Sequence, residues 1–266
     1  MTQTQQALLT GDREETKYLV ARQEQRALVA SLNQHLPSHR HRGEGSNPLP
    51  SPEHFVTTVY FDTPSLTHFN AAKRDGEHHV KLRAKEYYDV HPSLAELATD
   101  AAEVMHRTPF VWLELKRREG SRSQKQRVRI QRLTVPEWLS GRGTDSAASG
   151  EGDALRAYCA SLGEPLRACS LVNYRRASWQ APDDALRVTI DAEIAFFASP
   201  TELWTQPSLA RSALGKPRHR ESNLLVEVKR TNGALPAWLE GALQSARARP
   251  VAYSKFVRAT ESVLSP

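Results

Sequence analysis

Between residues 78 and 88 the chain reads HHVKLRAKEYY. On an extended backbone successive side chains alternate, so Lys81, Arg83 and Lys85 share one face while Val80, Leu82 and Ala84 take the other. Cations this close lie within one Debye length, about 8 to 10 Å, and repel one another unless an anion sits among them. Phosphate groups supply the required charge density, with Arg binding their oxygens as a two-pronged fork and Lys as a point charge. The same alternation groups Lys125, Arg127 and Arg129, places Tyr174 with Arg176, and aligns Arg187 with Thr189, Asp191 and Glu193. Carboxylates are interleaved: Glu15 beside Lys17, Glu114 beside Lys116, Glu227 beside Lys229. In a face built for anions a carboxylate either pairs with a neighbouring cation or holds a divalent metal. Oxygen donors of this kind suit magnesium or manganese, shared with phosphate oxygens.

The elements that must carry these residues follow from periodicity. Strand-like runs occur at 16–20, 54–62, 78–88, 110–118, 125–133, 171–180, 186–197 and 223–230, most with an aliphatic face opposite the charged one. Amphipathic helical spacing is found at 24–36, 94–107, 154–162, 236–247 and 254–264. Stretches 37–52, 140–152 and 205–222, rich in Gly, Pro, Ser and charge, read as loops. We expect an α+β fold: a closed antiparallel barrel of roughly eight strands with helices outside and a basic interior. Residues 1–12 are expected to be a disordered tail and 13–266 a single domain.

Composition excludes several classes. The 266 residues carry 36 Lys and Arg against 30 Asp and Glu, a net charge of +6, so placement rather than total charge must define any anion site. No apolar run approaches the roughly 20 residues of a membrane span, and the N-terminus lacks a secretory pattern, which predicts a cytoplasmic protein. Cys159 and Cys169 do not make a zinc site and are read as reduced thiols. The ten histidines show no helical metal pair and read as solvated. No phosphate-binding glycine loop occurs, and Ser222 and Ser254 lack the glycine elbow of a hydrolase nucleophile. Trp112, Trp179, Trp204 and Trp238 are expected to pack between sheet and helices. The cationic strands carry no interleaved exposed aromatics, so specific nucleic-acid binding is not expected.

The ordered pieces ETKYLV, TTVYFDTPSL, VKLRAKEYY, WLELKRR, NYRRASW, LRVTIDAEI, LLVEVK and YSKFVRA, together with the Lys125 strand, resemble the VTC domain, the polyphosphate polymerase branch of the triphosphate tunnel metalloenzymes, from about residue 13 to residue 260. The resemblance implies a basic tunnel that binds ATP or another triphosphate and, with manganese or magnesium, transfers its terminal phosphoryl group to inorganic polyphosphate. It further implies phosphate contacts from Lys17, Lys81, Arg83, Lys85, Lys116, Lys125, Arg176, Arg187 and Lys255, supported by Tyr174 and Ser254. Arg127 and Lys229 join this set from the strand faces. Lys17, Arg83, Lys116, Arg176, Arg187 and Lys255 are the expected catalytic clamp, Glu227 the expected metal ligand and Glu114 a second candidate. Two positions depart from the pattern. Arg13 stands where the wider superfamily opens Glu-x-Glu-x-Lys, and Ala252 stands where the polymerases carry a further cation. Hydrolysis of triphosphate, or binding of polyphosphate without turnover, are the alternatives.

Overall fold

The computed structural model describes residues 13–39, 53–88, 109–120, 122–144, 150–206, 208–231 and 233–265. The expected tail 1–12 and helix 94–107 lie outside them. In chain order the elements are β1 (Arg13–Val20), α1 (Gln25–His35), β2 (Glu53–Asp62), α2 (Thr67–Arg74), β3 (His78–Tyr88), β4 (Phe110–Glu119), β5 (Arg122–Gln131), α3 (Val135–Leu139), α4 (Gly150–Ser161), β6 (Arg167–Gln180), β7 (Leu186–Phe197), β8 (His219–Arg220), β9 (Leu224–Thr231), α5 (Ala237–Ser245), β10 (Arg249–Pro250) and α6 (Lys255–Leu264). Eight long strands stand where alternation placed them. Helices α2 and α3 are additions, short segments whose stability comes from packing rather than from a long amphipathic repeat.

The strands form an antiparallel sheet with the order β10-β1-β9-β7-β6-β2-β3-β4-β5, and β8 pairs with β7. Among the described residues this order ends at β10 and β5 without returning on itself, so the hydrogen-bonded sheet is open where a closed barrel was expected. The chain divides into two compact units. One comprises residues up to Phe55 with Tyr174–Ile194 and Arg220–Tyr253, the other Val56–Asn173, Ala195–His219 and the residues from Ser254 onward.

In the first unit Val20, Ile190, Val226 and Val228 bury their side chains against Leu28 and Leu32 of α1 and Leu239 and Leu243 of α5. In the second, Leu82, Leu113, Leu115, Val128 and Ile130 meet Val135 and Trp138 of α3 and Leu155 of α4. Each such side chain contributes roughly 1.5–3 kcal/mol by leaving water. Because a strand alternates, covering its aliphatic face turns its charged face the other way. In the second unit that face is not wholly bare of helix. Tyr60 of β2 packs on Phe256 of α6 at 5.0 Å, and Phe256 meets Phe69 of α2 at 6.3 Å. Tyr60 alternates with the core residues Val59 and Phe61, so α2 and α6 lie across β2 from the core, which corrects the expectation that all helices pack on the aliphatic side.

Two local features set the register of the charged residues. The β4–β5 hairpin pairs Glu119 with Arg122, and Gly120, directly after β4, takes φ of 60°, a left-handed conformation that costs glycine little. Within β7, Val188, Ile190 and Ala192 belong to the core of the first unit, whereas Ala195 and Phe197 belong to that of the second. The change from even to odd positions occurs across Glu193, at φ of 55°. One residue inserted in the alternation, as in a bulge, re-aims everything after it. Glu193 accordingly leaves the face it was expected to share with Asp191.

Candidate functional site

Each unit carries its own charged face. In the second, β3, β4 and β5 align in rows, because Lys81 pairs with Lys116 and Lys116 with Lys125, while Arg83 pairs with Glu114 and Glu114 with Arg127. Three ammonium groups directly opposite one another on adjacent strands oppose folding. Lys81 and Lys116 are half-buried and Lys125 is exposed.

The adjacent row holds the counter-charge. Glu114 is 2% exposed; its Oε2 accepts from Arg83 at 2.8 Å and lies 3.3 Å from Lys85 Nζ. Burial alone would raise its pKa, but Lys85, Arg83 and Lys125 outweigh that and hold it well below the usual carboxylate range. Glu114 therefore stays charged and organises the cations around it.

Ser254, expected beside a phosphate, accepts a hydrogen bond from Lys81 Nζ at 3.2 Å and from the Val257 N–H at 3.3 Å, which makes it the N-cap of α6. Lys255, the first residue of α6, is thereby placed next to Lys81's partner. At the far end of the β3 face His79 pairs with Arg118. Its Nδ1 is buried without a hydrogen-bond partner. Burial, then the charges of Lys81, Arg118 and Lys116, push its pKa down to about 4. It is a neutral imidazole at the end of a lysine row, not a solvated histidine.

The first unit places Lys17 opposite Glu227 and Glu227 opposite Thr189, with Glu15 opposite Lys229 and Lys229 opposite Arg187 in the next row. Lys229 Nζ bridges the two carboxylates, 2.6 Å from Glu227 and 3.4 Å from Glu15. The attraction of Glu227, ahead of burial, raises the Lys229 pKa. Lys17 lies 3.0 Å from Glu15 and donates to the Tyr253 carbonyl at 2.9 Å. Arg187 donates from Nε and a terminal nitrogen to the Gln180 side-chain oxygen.

Arg176 grips Asp191 with both prongs, Nε to Oδ1 at 2.6 Å and a terminal nitrogen to Oδ2 at 2.7 Å, and its guanidinium carbon lies 5.2 Å from the Tyr174 ring centre. Burial would lower the Arg176 pKa, but Asp191 leads the charges that instead raise it well above normal. Asp191 is fully buried and unites with Arg176 as a rigid pair. The alternation rule had put Asp191 on the face of Arg187 without a role; its proximity to Arg176 arises from the sheet.

Among the described residues no three His, Cys, Asp or Glu side chains gather as a metal cage. The oxygen donors for a hard cation are best assembled around Glu227. Glu15 shares Lys229 with it, and the Thr189 hydroxyl on the opposing strand is buried with no hydrogen-bond partner. Two carboxylates and an orphaned hydroxyl fit a magnesium-type site that completes its shell with phosphate oxygens and water. Around Glu114, by contrast, stand the cations Arg83 and Lys85, both on Oε2.

Further groups were not anticipated. Glu86 follows Leu82 and Ala84 on the core side of β3 and is 1% exposed, bonded to Arg132 at 3.2 Å, Ser208 at 2.9 Å and the Leu209 N–H at 3.0 Å. Its alternation with the lysines was a legible sign of burial. Trp179 is in the core as expected, whereas Trp112 stands half-buried on the charged side of β4, alternating with the buried Val111 and Leu113. No helix among the described residues is long and apolar enough to cross a membrane.

A sequence model of the VTC domain matches residues 12–264, nearly the entire chain. No curated protein matches it in sequence. Solved structures to which the chain is similar include a candidate adenylate cyclase from Bacillus halodurans, 14% identical with a TM-score of 0.48, covering 93% of this chain and 97% of its own. A protein of Pyrococcus horikoshii OT3 is 12% identical with a TM-score of 0.43, covering 94% and 98%. A candidate adenylate cyclase from Vibrio parahaemolyticus is 11% identical with a TM-score of 0.43, covering 96% and 98%.

Proposed function

Because the chain belongs to the VTC domain family, we propose that it binds ATP and inorganic polyphosphate on its cationic faces and transfers the terminal phosphoryl group of the nucleotide to the end of the polyphosphate. The observation that supports this most directly is the cross-strand row Lys81, Lys116 and Lys125, stabilised in the next row by a buried Glu114.

Phosphoryl transfer asks a protein mainly to hold phosphates in line and to neutralise charge on the transferring oxygens. In this reading the phosphate clamp draws on Lys17, Arg176 and Arg187, assisted by Lys229 and Tyr174, in the first unit, and on Arg83, Lys116 and Lys255, assisted by Lys81, Lys85, Lys125, Arg127 and Ser254, in the second. Asp191 keeps Arg176 charged and directs its remaining N–H groups. Glu227, with Glu15, would hold magnesium or manganese, which when bound supplies charge neutralisation at the phosphate oxygens. The end of a phosphate chain is already ionised near neutral pH, so no protein nucleophile or general base is required.

The test is incubation of the purified chain with ATP and manganese, followed by electrophoresis of the products for polyphosphate. Chain lengthening with release of ADP supports transfer; orthophosphate from tripolyphosphate indicates a hydrolase instead. Binding without turnover under either metal identifies a binding module, the reading favoured by Ala252. Glu227→Gln is expected to abolish metal-dependent turnover while retaining tripolyphosphate affinity within about threefold, since its neighbour Lys229 remains. Full activity in that variant removes Glu227 from the mechanism.

A further inference from the structure

The charged face of the second unit changes character along its length. At one end stand His79, Lys81 and Lys116. At the other, Phe110 and Trp112 project from β4 to the same side as Glu114 and Lys116, because Val111, Leu113 and Leu115 between them are in the core. Each ring is covered by a guanidinium from the neighbouring strand. Arg127 lies 4.4 Å from the Trp112 ring centre and Arg129 4.1 Å from that of Phe110. The pairing is diagonal. Arg129 is opposite Trp112 yet leans over Phe110, and Arg127 is opposite Glu114 yet leans over Trp112. The result is a ladder of two arginine-covered rings, Arg129 over Phe110 and Arg127 over Trp112. Both arginines are exposed, whereas the rings beneath them are half-buried.

We propose that this ladder is the nucleobase platform of the nucleotide site, and that it selects a nucleoside triphosphate over inorganic triphosphate. The inference rests on the triphosphate-binding reading above and adds the recognition of the base. A planar, electron-rich base stacks on both aromatic and guanidinium planes, so either exposed surface of the ladder accepts one. The spacing suits a single nucleotide. At about 3.4 Å per residue, roughly 14 Å of β4 separates Trp112 from Lys116. The intervening row of Arg83, Glu114 and Arg127 is where ribose and the first phosphate fall, and the lysine row receives the remaining phosphates. Glu114 does not oppose this, since its charge is already balanced by Arg83 and Lys85. Charge density favours a nucleoside triphosphate over a single-stranded nucleic acid: three lysines in one row match several phosphates gathered at one end of a molecule, whereas a nucleic-acid strand presents one phosphate per base.

The proposal also accounts for the arginines. Arg127 and Arg129 are exposed, and holding a long side chain over a ring costs rotamer entropy. Pre-stacking them removes that cost from ligand binding.

The experiment is calorimetric titration of the full chain and of Trp112→Leu and Trp112→Phe with ATP and, separately, with tripolyphosphate. Trp112→Leu is expected to weaken ATP by about tenfold or more, the range found when a stacking aromatic is removed, and to leave tripolyphosphate within about twofold. Trp112→Phe, which keeps a stacking ring, is expected to retain most of the ATP affinity. Equal loss of both ligands in Trp112→Leu overturns the platform and makes Trp112 a structural residue. No change with either ligand overturns it as well. Competition of ATP by a single-stranded oligonucleotide, relieved by Trp112→Leu, reassigns the ladder to nucleic acid. Failure of the unmodified chain to bind tripolyphosphate refutes the triphosphate reading itself, and the platform falls with it.

Discussion

Replacing Glu114 by Gln tests whether this carboxylate is the counter-ion of the cationic face or a metal ligand. The side chain is 2% exposed, and its partners Arg83 and Lys85 are 17% and 12% exposed, so all three charges are poorly solvated. Removing one member of a buried pair costs about 3–5 kcal/mol because the other charge is left uncompensated. Gln preserves the shape and one acceptor oxygen for Arg83, which places the expected loss near the lower bound, about 3 kcal/mol. At about 2–4 °C per kcal/mol for a domain of this class, the unfolding midpoint should fall by about 6–12 °C. The distinguishing measurement is the same scan with tripolyphosphate. A bound anion replaces the missing negative charge, and ligand held at about 100 times its Kd stabilises the folded state by about 2.7 kcal/mol. If the variant binds it more tightly than the parent, the gap between the two midpoints narrows. A loss of less than about 1 kcal/mol without ligand, or a gap that stays constant with tripolyphosphate, refutes the counter-ion reasoning. Loss of a manganese-dependent shift in the variant alone would return Glu114 to the metal.

Other outcomes follow from the same charges. Asp191→Asn should lower the unfolding midpoint, because the fork of Arg176 loses the fully buried carboxylate that fixes it; an unchanged midpoint in a thermal scan would mean that the pair does not stabilise the sheet. Glu114 has a lowered pKa in the folded state, so its stabilisation is present above the unfolded carboxylate pKa, near 4.3, and is lost as acid titrates it; Glu114→Gln should flatten that part of a stability-versus-pH curve. His79 acts with the same slope for the opposite reason. Its folded pKa of about 4 lies below the ordinary 6.5, so the unfolded chain binds more protons between those values and stability falls as pH drops through them. Phosphate bound beside Lys81 and Lys116 should raise that pKa and couple binding to proton uptake. Titration calorimetry at pH 6 in buffers of differing ionisation enthalpy detects this, and His79→Gln should abolish it.

Alternation alone carried much of what is seen. It located eight strands and showed which of Lys81, Arg83, Lys85, Glu114, Lys116, Glu227 and Lys229 share faces, because side-chain direction in a strand is a local consequence of backbone geometry. Hydrophobic spacing likewise found α1, α4, α5 and α6, since each must bury one stripe. Which strand lies beside which is another matter. That Lys81, Lys116 and Lys125 form one row depends on a glycine turn and on pairings between strands, and that Asp191 grips Arg176 while Glu193 turns away depends on an inserted residue in β7. The chain by itself determined the chemistry available to each face. Only tertiary structure decided which charges stand in contact, because strand register and burial are set by the packing of the whole sheet against its helices, and the short-range periodicity that encodes a strand contains no record of its neighbour.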